Sequence, residues 1–98
     1  MYARVTTVQI QPGKTDELTQ FVRDSVLPIA QQQHGFSGML ILADPANHKG
    51  IAITMWETEA DMAAGEASDG YYTQQIARAA QYFAAQPVRE VYDVRTKE

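Results

Sequence analysis

Two neighbouring segments of the chain, residues 36–43 and 51–57, carry apolar side chains at both odd and even positions. Successive side chains of a β-strand point to opposite faces of the sheet, so both faces of these two predicted strands are apolar. Helices that pack on one face of an antiparallel sheet leave the other face open. We therefore expect a second surface to cover that open face, and a second copy of the same sheet is the simplest candidate.

Regular strands would divide these side chains between two apolar faces. In the first segment, one face is predicted to carry Phe36, Leu40 and Leu42, and the other Met39, Ile41 and Ala43. The second segment sets one group, Ile51, Ile53 and Met55, against another, Ala52 and Trp56. A sheet with one face in water would instead alternate apolar and polar residues.

The first third of the chain predicts a strand, a turn and a helix. Residues 2–11 are rich in Val, Ile and Thr and predict a strand that ends at Pro12. Thr15 is expected to cap the following helix, because its hydroxyl can accept a backbone N–H of the first turn. Pro28 predicts a kink or break in this helix, and Gly35 its end. An apolar stripe at helical spacing faces the core: Leu18, Phe21, Val22, Val26 and Ile29.

The rest of the chain predicts a hairpin, two helices and a last strand. Residues 44–50 are dense in turn formers and join the two apolar strands. Thr58 and Asp61 predict a capping box at the start of a short helix that reaches Glu66. Residues 88–95 alternate as a strand, and the preceding helix carries the stripe Tyr72, Ile76, Ala79, Ala80 and Phe83. The order β-α-β-β-α-β predicts one α+β domain over residues 1–98, with a ferredoxin-like topology and a four-stranded antiparallel sheet.

Composition excludes several classes of function. The chain has 98 residues, no cysteine and a formal charge of -4, and its 8 basic residues are scattered. Nucleic acid is not an expected partner, because its phosphates require concentrated positive charge. The lack of cysteine excludes disulfides and thiolate-ligated metals. No segment approaches the ~20 apolar residues of a membrane span, and the N-terminus lacks a signal peptide's apolar segment, so we expect a cytoplasmic protein without a membrane partner.

Three motifs resemble those of a known family. They are Val-Gln-Ile-Gln-Pro-Gly-Lys at residues 8–14, Gly-Phe-Ser-Gly at 35–38 and Met-Trp-Glu-Thr-Glu-Ala-Asp-Met at 55–62. In this order the chain resembles the antibiotic biosynthesis monooxygenase family of the dimeric α/β-barrel superfamily. The resemblance implies a homodimer whose two sheets close into a barrel, with a small pocket in each subunit between sheet and helices. It also implies an oxidoreductase, such as a cofactor-independent oxygenase of polycyclic phenols and quinones.

The family's functional residues are mostly replaced here. The haem-degrading branch uses an Asn, a Trp and a His at positions that hold Thr6, Gly65 and Gln75. Haem iron would lack its imidazole ligand, so haem degradation is not expected. Many other members have histidines at the positions of Gly65 and Gly70, so the most easily imagined general base is missing. We expect no cofactor.

Six residues are candidates for contacting a small apolar or aromatic molecule: Arg4, Thr6, Trp56, Tyr71, Tyr72 and Gln75. Arg4 could pair with an anionic or phenolate ligand, although a salt bridge to an acid is the favoured interpretation. Trp56 is expected to anchor the core rather than form a pocket wall. Structural roles are also favoured for the two tyrosines, of which Tyr71 is the better pocket candidate. No catalytic residue and no metal site is assigned.

The other ionisable residues are interpreted as surface features. His34 ends a helix and His48 lies in the hairpin loop, so the two histidines do not predict a metal site. An acidic cluster around the short helix is interpreted as solvated surface: Glu57, Glu59, Asp61, Glu66 and Asp69.

Three functional hypotheses remain open. The first is a cofactor-independent monooxygenase or isomerase acting on a small aromatic or quinone-like molecule. The second is a non-catalytic dimer that binds a small apolar metabolite, which the missing histidines favour. The third is a dimer without a ligand that serves as an interaction surface. An enclosed cavity around Arg4, Thr6, Tyr71 and Gln75 would favour the first two over the third.

Overall fold

Strands and helices follow one another in the predicted order. The computed structural model describes residues 1–98, which is the whole chain. The strands are β1 (Tyr2–Gln9), β2 (Phe36–Asp44), β3 (Lys49–Trp56) and β4 (Val88–Asp93). The α-helices are α1 (Thr15–Phe21), α2 (Leu27–Gln31), α3 (Glu59–Ala64) and α4 (Tyr71–Ala79). All strand pairs are antiparallel in the order β2-β3-β1-β4, which confirms the ferredoxin-like α+β fold.

The two faces of the sheet differ in burial. Arg4, Thr6 and Val8 of β1 are buried on the face that meets the helices, as are Thr54 and Trp56 of β3. The opposite face keeps four large apolar side chains that are about half exposed: Leu40, Leu42, Val88 and Tyr92. The predicted second apolar face is therefore present, and the helices of this chain do not cover it.

The start of β2 corrects one prediction about these faces. The pairing of β2 with β3 shifts by one residue, because Phe36 pairs with Trp56 while Gly38 pairs with Met55. This β-bulge reverses the alternation of side chains at its position. Phe36 therefore lies on the helix face with Met39, and not with Leu40 and Leu42 as predicted. There its ring meets Trp56 edge-on, with centroids 5.6 Å apart.

The first helix is irregular but unbroken. Between α1 and α2, residues Val22–Val26 form a π-helical turn, and the helix then continues through Gln31. Pro28 explains the irregularity, because it has no N–H and its ring would collide with the carbonyl of Asp24 in a regular α-helix. The sequence thus located an irregularity in this helix correctly, and the predicted alternative of a break is wrong, because the helix continues.

Helix caps match one prediction and correct another. Thr58 caps α3, since its Oγ1 accepts the backbone N–H of Asp61 at 3.1 Å. Thr15 does not cap α1; Lys14 holds the cap position, no side chain caps it, and Thr15 is the first helical residue.

The end of α4 also differs from the prediction. The α-helix stops at Ala79 and is followed by a 3-10 turn, Ala80–Tyr82. Ala80 is exposed, and Phe83 lies beyond the helix, where it forms a β-bridge with Ile10. None of the helices has both the length and the apolar character needed to cross a membrane.

The core is divided into two clusters. The first contains Val8, Ile10, Leu18 and Ala79, and the second contains Ala30, Trp56, Met62 and Tyr71. A cavity is lined by the whole of the first cluster and by Tyr71 of the second. This division of the core positions the candidate site.

Candidate functional site

A cavity of about 100 Å³ lies between the helix face of the sheet and the helices. Its floor is β3, where the three successive positions that face the helices are Gly50, Ala52 and Thr54. These side chains are too small to fill the space between sheet and helices, whereas the same face ends in the large Trp56. The π-helical turn supplies part of the opposite wall, through Val22 and Val26.

The charged, amide and phenol groups of the lining gather at the β1 and α4 side of a mainly apolar cavity. Of its 23 lining residues, 16 are hydrophobic. Five of the six residues that the sequence proposed for ligand contact line it: Arg4, Thr6, Tyr71, Tyr72 and Gln75. Such a cavity, apolar with a few converging polar groups, is typical of a small-molecule site.

Arg4 is the central polar group, with a relative exposure of 1%. One terminal nitrogen donates to the carbonyl of Met62 and to Glu66 Oε2, both at 3.0 Å. The other terminal nitrogen donates to the Tyr71 hydroxyl at 2.8 Å. The guanidinium carbon also lies 3.9 Å from the centroid of the Tyr72 ring, a cation–π contact. The salt bridge favoured from the sequence is thus present, and Glu66 neutralises the buried charge.

One nitrogen atom of Arg4 makes no hydrogen bond within the protein. Its Nε is buried and has no hydrogen-bond partner in the protein. A buried donor without a partner is unfavourable by about 1–3 kcal/mol, so such groups in a cavity wall are candidates for bonding a ligand or a water molecule.

Tyr71 combines burial with a charged neighbour. Burial raises the pKa of its phenol, and the Arg4 charge and hydrogen bond offset only part of this effect. The phenol therefore stays protonated across the neutral range. Because Arg4 donates to the phenol oxygen, that oxygen serves as the acceptor and the phenol hydrogen can be donated onward.

Two more side chains complete the polar end. The hydroxyl groups of Thr6 and Tyr72 are hydrogen-bonded at 2.8 Å. Gln75 accepts a hydrogen bond from Arg78 at 3.2 Å through its Oε1, while its Nε2 amide has no partner within the protein. Gln75 therefore offers free N–H donors at the cavity wall.

Trp56 does not line the cavity, in contrast to the other five candidates. It is fully buried, and its Nε1 donates to Thr54 Oγ1 at 3.0 Å. Its ring also packs against the ring of Tyr71, with centroids 5.7 Å apart. Trp56 is thus a core anchor that holds two cavity residues in place.

Glu66 is a site residue that sequence reasoning placed on the solvated surface. Its carboxylate bonds Arg4 and also lies 3.2 Å from Arg89 of β4. Asp61, of the same predicted cluster, lies at the surface and bonds the exposed His34 at 2.8 Å. A signal for Glu66 existed: an arginine predicted on a helix-facing strand position requires a nearby acid. The predicted acidic cluster around the short helix offered five acids, and the sequence could not select one of them.

Gly65 gives Tyr71 its position. A Cβ added at Gly65 would lie 2.6 Å from the Tyr71 ring, which is closer than atoms can approach. The Tyr71 ring thus occupies the space that any side chain at position 65 would need. No group of three or more His, Asp or Glu side chains is arranged to hold a metal ion.

Comparison with known proteins agrees with this architecture. A monooxygenase of Streptomyces coelicolor, solved in complex with the ligand nanaomycin D, superposes with a TM-score of 0.83 at 14% identity, over 99% of this chain and 89% of that one. A protein of unknown function from Nitrosomonas europaea superposes with a TM-score of 0.79 at 20% identity, over 99% and 91% of the two chains. At these identities the likeness concerns the fold.

Sequence comparison gives nearer relatives and a family. An uncharacterised protein of Mycobacterium tuberculosis strain H37Rv is 34% identical over 94 residues. The match covers 96% of this chain and 41% of that relative, so the chain spans less than half of its length. The family model described as antibiotic biosynthesis monooxygenase matches residues 1–82. The chain therefore belongs to the antibiotic biosynthesis monooxygenase family.

Proposed function

We propose that this protein is a cofactor-independent monooxygenase of a small aromatic or quinone-like molecule that binds in the cavity. The observation that carries the proposal is the cluster of hydrogen-bond donors from Arg4, Tyr71 and Gln75 at one side of an otherwise apolar cavity. An apolar cavity accepts the edge of an aromatic ring, and a few fixed donors orient its oxygen. Membership of the family supports the same reading.

In the proposed reaction, the substrate supplies the electrons. The anion of a phenol or anthrone transfers an electron to dioxygen, and the two radicals combine to form a peroxide on the ring carbon. For an anthrone, that CH₂ carbon becomes a carbonyl: one oxygen atom of O₂ enters the product, and the other leaves as water with the two hydrogens. The protein therefore has to bind the anion, stabilise its charge and exclude water.

Each polar residue has a role in this scheme. Tyr71 donates its hydroxyl hydrogen to the substrate oxygen, and Arg4 strengthens that bond by donating to the Tyr71 oxygen. Gln75 donates through its free amide nitrogen, and Thr6 and Tyr72 form a hydroxyl pair at the same wall. The apolar remainder of the cavity strengthens these interactions by excluding water.

In this proposal the substrate ionises without a general base from the protein. Neither His34 nor His48 lines the cavity, and Glu66 is engaged by Arg4. A substrate whose phenol or enol ionises readily near neutral pH suits such a site. Haem does not suit it, because no histidine lines the cavity to ligate the iron.

Oxygen uptake tests the proposal. The protein is incubated with a panel of hydroquinones and anthrones, and oxygen consumption and products are followed beside a heat-denatured control. We expect turnover with at least one substrate without added metal or flavin. Uptake equal to the denatured control across the panel would contradict catalysis.

A non-catalytic binding protein is the second candidate. Glycines at positions 65 and 70, where many relatives have histidines, favour it. A ligand library read by thermal shift separates the two, because binding raises the melting temperature even without turnover. Ligands that stabilise the protein and are recovered unchanged would favour binding alone. A role only as an interaction surface is disfavoured by the cavity.

The proposed functional unit is a homodimer. Leu40, Leu42, Val88 and Tyr92 form an exposed apolar surface on the sheet face opposite to the cavity. Two such surfaces packed together would bury these side chains and leave both cavities open.

A further inference from the structure

The cavity continues into an open groove at the β2 edge of the sheet. This groove has a volume of about 310 Å³ and lies beside the π-helical turn. It shares most of its lining with the cavity: Thr19, Val22, Met39, Ile41 and Ala43. The two spaces are therefore parts of one continuous site.

The size of the cavity requires a ligand to use the groove. At about 100 Å³, the cavity is smaller than the roughly 150 Å³ of an engineered protein cavity that binds one benzene molecule. The polar cavity can therefore enclose the oxygen-bearing edge of a ligand but not a larger body. The groove brings the site into the range of about 300–1,000 Å³ that is typical of small-molecule sites.

The sheet register gives the length that a ligand must span. Thr6 of β1 pairs with Ala52 of β3, which pairs with Ile41 of β2, so these three residues form one row across the sheet. Thr6 belongs to the polar end and Ile41 to the groove. Two strand spacings of about 4.8 Å separate them, so the ligand extends over roughly 10 Å.

The groove carries one cation, Arg23. Arg23 is exposed and belongs to none of the ion pairs of the chain. The neighbouring carboxylate of Asp24 bonds Gln20 instead. Apart from Thr19, the other groove residues are apolar, so Arg23 is the only charged group along this part of the site.

We propose that the groove is a second binding subsite and that the ligand is an elongated molecule with an anionic group, such as a carboxylate, at the end remote from its phenol or carbonyl. The phenol or carbonyl edge lies against Tyr71 and Gln75, the apolar body passes over Ala52 and Ile41, and the carboxylate pairs with Arg23. This proposal rests on the proposed function of the inner cavity, and it adds the class of ligand.

Matched probes test the subsite by calorimetry. The probes are para-hydroxyphenylhexanoic acid, its methyl ester, the shorter para-hydroxyphenylacetic acid, and para-cresol, which has no chain. We expect the hexanoic acid to bind roughly threefold to fivefold more tightly than its ester, which is the size of effect that an exposed ion pair gives. High salt should reduce this advantage, because it screens the charges. The acetic acid should gain no such advantage, because its carboxylate cannot reach Arg23.

Variants assign the effect to the groove. Arg23→Gln should remove the advantage of the hexanoic acid over its ester, whereas Arg95→Gln, at another exposed arginine, should keep it. Leu27→Ala, at a position that lines the groove and not the cavity, should weaken both long probes and leave para-cresol unchanged. Circular dichroism checks that each variant is folded.

Each alternative outcome has a defined meaning. Equal binding of acid and ester, or an advantage that survives Arg23→Gln, would overturn the anionic subsite while the inner cavity remains supported by binding of the phenols. If none of the four probes binds, the inner site and the proposed function fail together.

Discussion

At the scale of single residues, Arg4 determines how the polar end of the cavity is built. A guanidinium with 1% exposure needs a counter-charge, and Glu66 supplies it from the segment between α3 and α4. A buried ion pair is weak evidence for net stability, but the loss of one partner leaves the other charge uncompensated. The pair therefore holds this segment, and with it Tyr71, against the sheet.

Glu66→Gln tests this role. The substitution keeps the shape of the side chain and removes the charge, so the free energy of unfolding should fall by about 1–3 kcal/mol. Glu59→Gln is the matched control, because Glu59 is exposed and forms no ion pair. Urea titration of both variants measures the difference, and equal midpoints would mean that Arg4 is stabilised by its other contacts.

Tyr71→Phe tests the proposed donor. Loss of a hydrogen bond to a charged ligand oxygen corresponds to about 1.5–3 kcal/mol, so the affinity for a phenolate should fall roughly tenfold to a hundredfold. Tyr2→Phe, which alters a tyrosine outside the cavity, should leave affinity unchanged. Calorimetry above the pKa of the phenol ligand gives the comparison, and unchanged affinity would assign the interaction to Gln75 or to Arg4.

Tyr71 also predicts an alkaline loss of stability. Its pKa is raised in the folded state, so the unfolded chain ionises first and the contribution of the buried phenol is present below the ordinary pKa of 10.0. This contribution to stability is lost as the pH rises from 10.0 through the raised pKa of Tyr71. Tyr71→Phe should flatten this decline in urea titrations above neutral pH, and a decline as steep as in the parent protein would assign it to other groups.

At the scale of elements, a sequence pattern predicts what a strand or helix is but not where its regularity fails. The two-sided apolar character of β2 and β3 is visible in the sequence, whereas the bulge that moves Phe36 to the helix face depends on the pairing with Trp56. Pro28 signals an irregular helix, but the π-helical turn depends on how the surrounding structure accommodates it.

The candidate site was predictable to a similar extent. Strand periodicity puts Arg4 and Thr6 on one face, and the start of α4 supplies Tyr71 and Tyr72. The family resemblance implied a small pocket between sheet and helices, but the residue pattern alone did not predict it, because the cavity arises from what Gly50, Ala52 and Thr54 leave unfilled between two packed elements.

Ala52→Leu tests the floor of the cavity. The larger side chain should fill the space above β3, weaken ligand binding to the limit of detection and raise the free energy of unfolding by about 0.5–2 kcal/mol. Ala52→Ser, which barely changes volume, should preserve binding. Calorimetry and thermal unfolding provide the readouts, and retained binding in Ala52→Leu would place the ligand elsewhere.

The contact between His34 and Asp61 joins the turn after α2 to the start of α3. The hydrogen bond and the charge of Asp61 raise the pKa of His34, and the charge of Glu57 raises it further. The hydrogen bond from His34 in turn lowers the pKa of Asp61. The contribution of His34 to the stability of the fold is therefore fully present below its ordinary pKa of 6.5, and it is lost as the pH rises through the raised pKa. The contribution of Asp61 to stability is fully present above its ordinary pKa of 3.8, and it is lost as the pH falls through the lowered pKa.

His34→Gln should therefore reduce the melting temperature at mildly acidic pH and change it little at alkaline pH. His48→Gln is the control, because His48 makes no ion pair. Scanning calorimetry at several pH values between these limits measures the effect. An equal loss at every pH would mean that His34 contributes through a hydrogen bond of its neutral ring to Asp61 and not through its charge.

At the scale of the whole molecule, the sheet has one face that carries the cavity and one apolar face that the helices do not cover. The helix face encloses the cavity, whereas Leu40, Leu42, Val88 and Tyr92 lie exposed on the other. Monomeric proteins rarely expose a contiguous apolar surface built from a whole sheet face. Since β2 and β4 are the two edges of the sheet, the surface extends across its full width.

Leu40→Lys tests whether this surface holds two copies together. A buried leucine contributes about 1.5–3 kcal/mol, and two-fold symmetry places the substitution in the interface twice. We therefore expect a dimer of the parent protein in sedimentation at micromolar concentration and a dissociation constant at least roughly a hundredfold weaker in the variant. Gln74→Lys adds the same charge on the exposed side of α4 and should remain dimeric. A parent protein that sediments as a compact monomer would refute the dimer, and the apolar face would then require another partner.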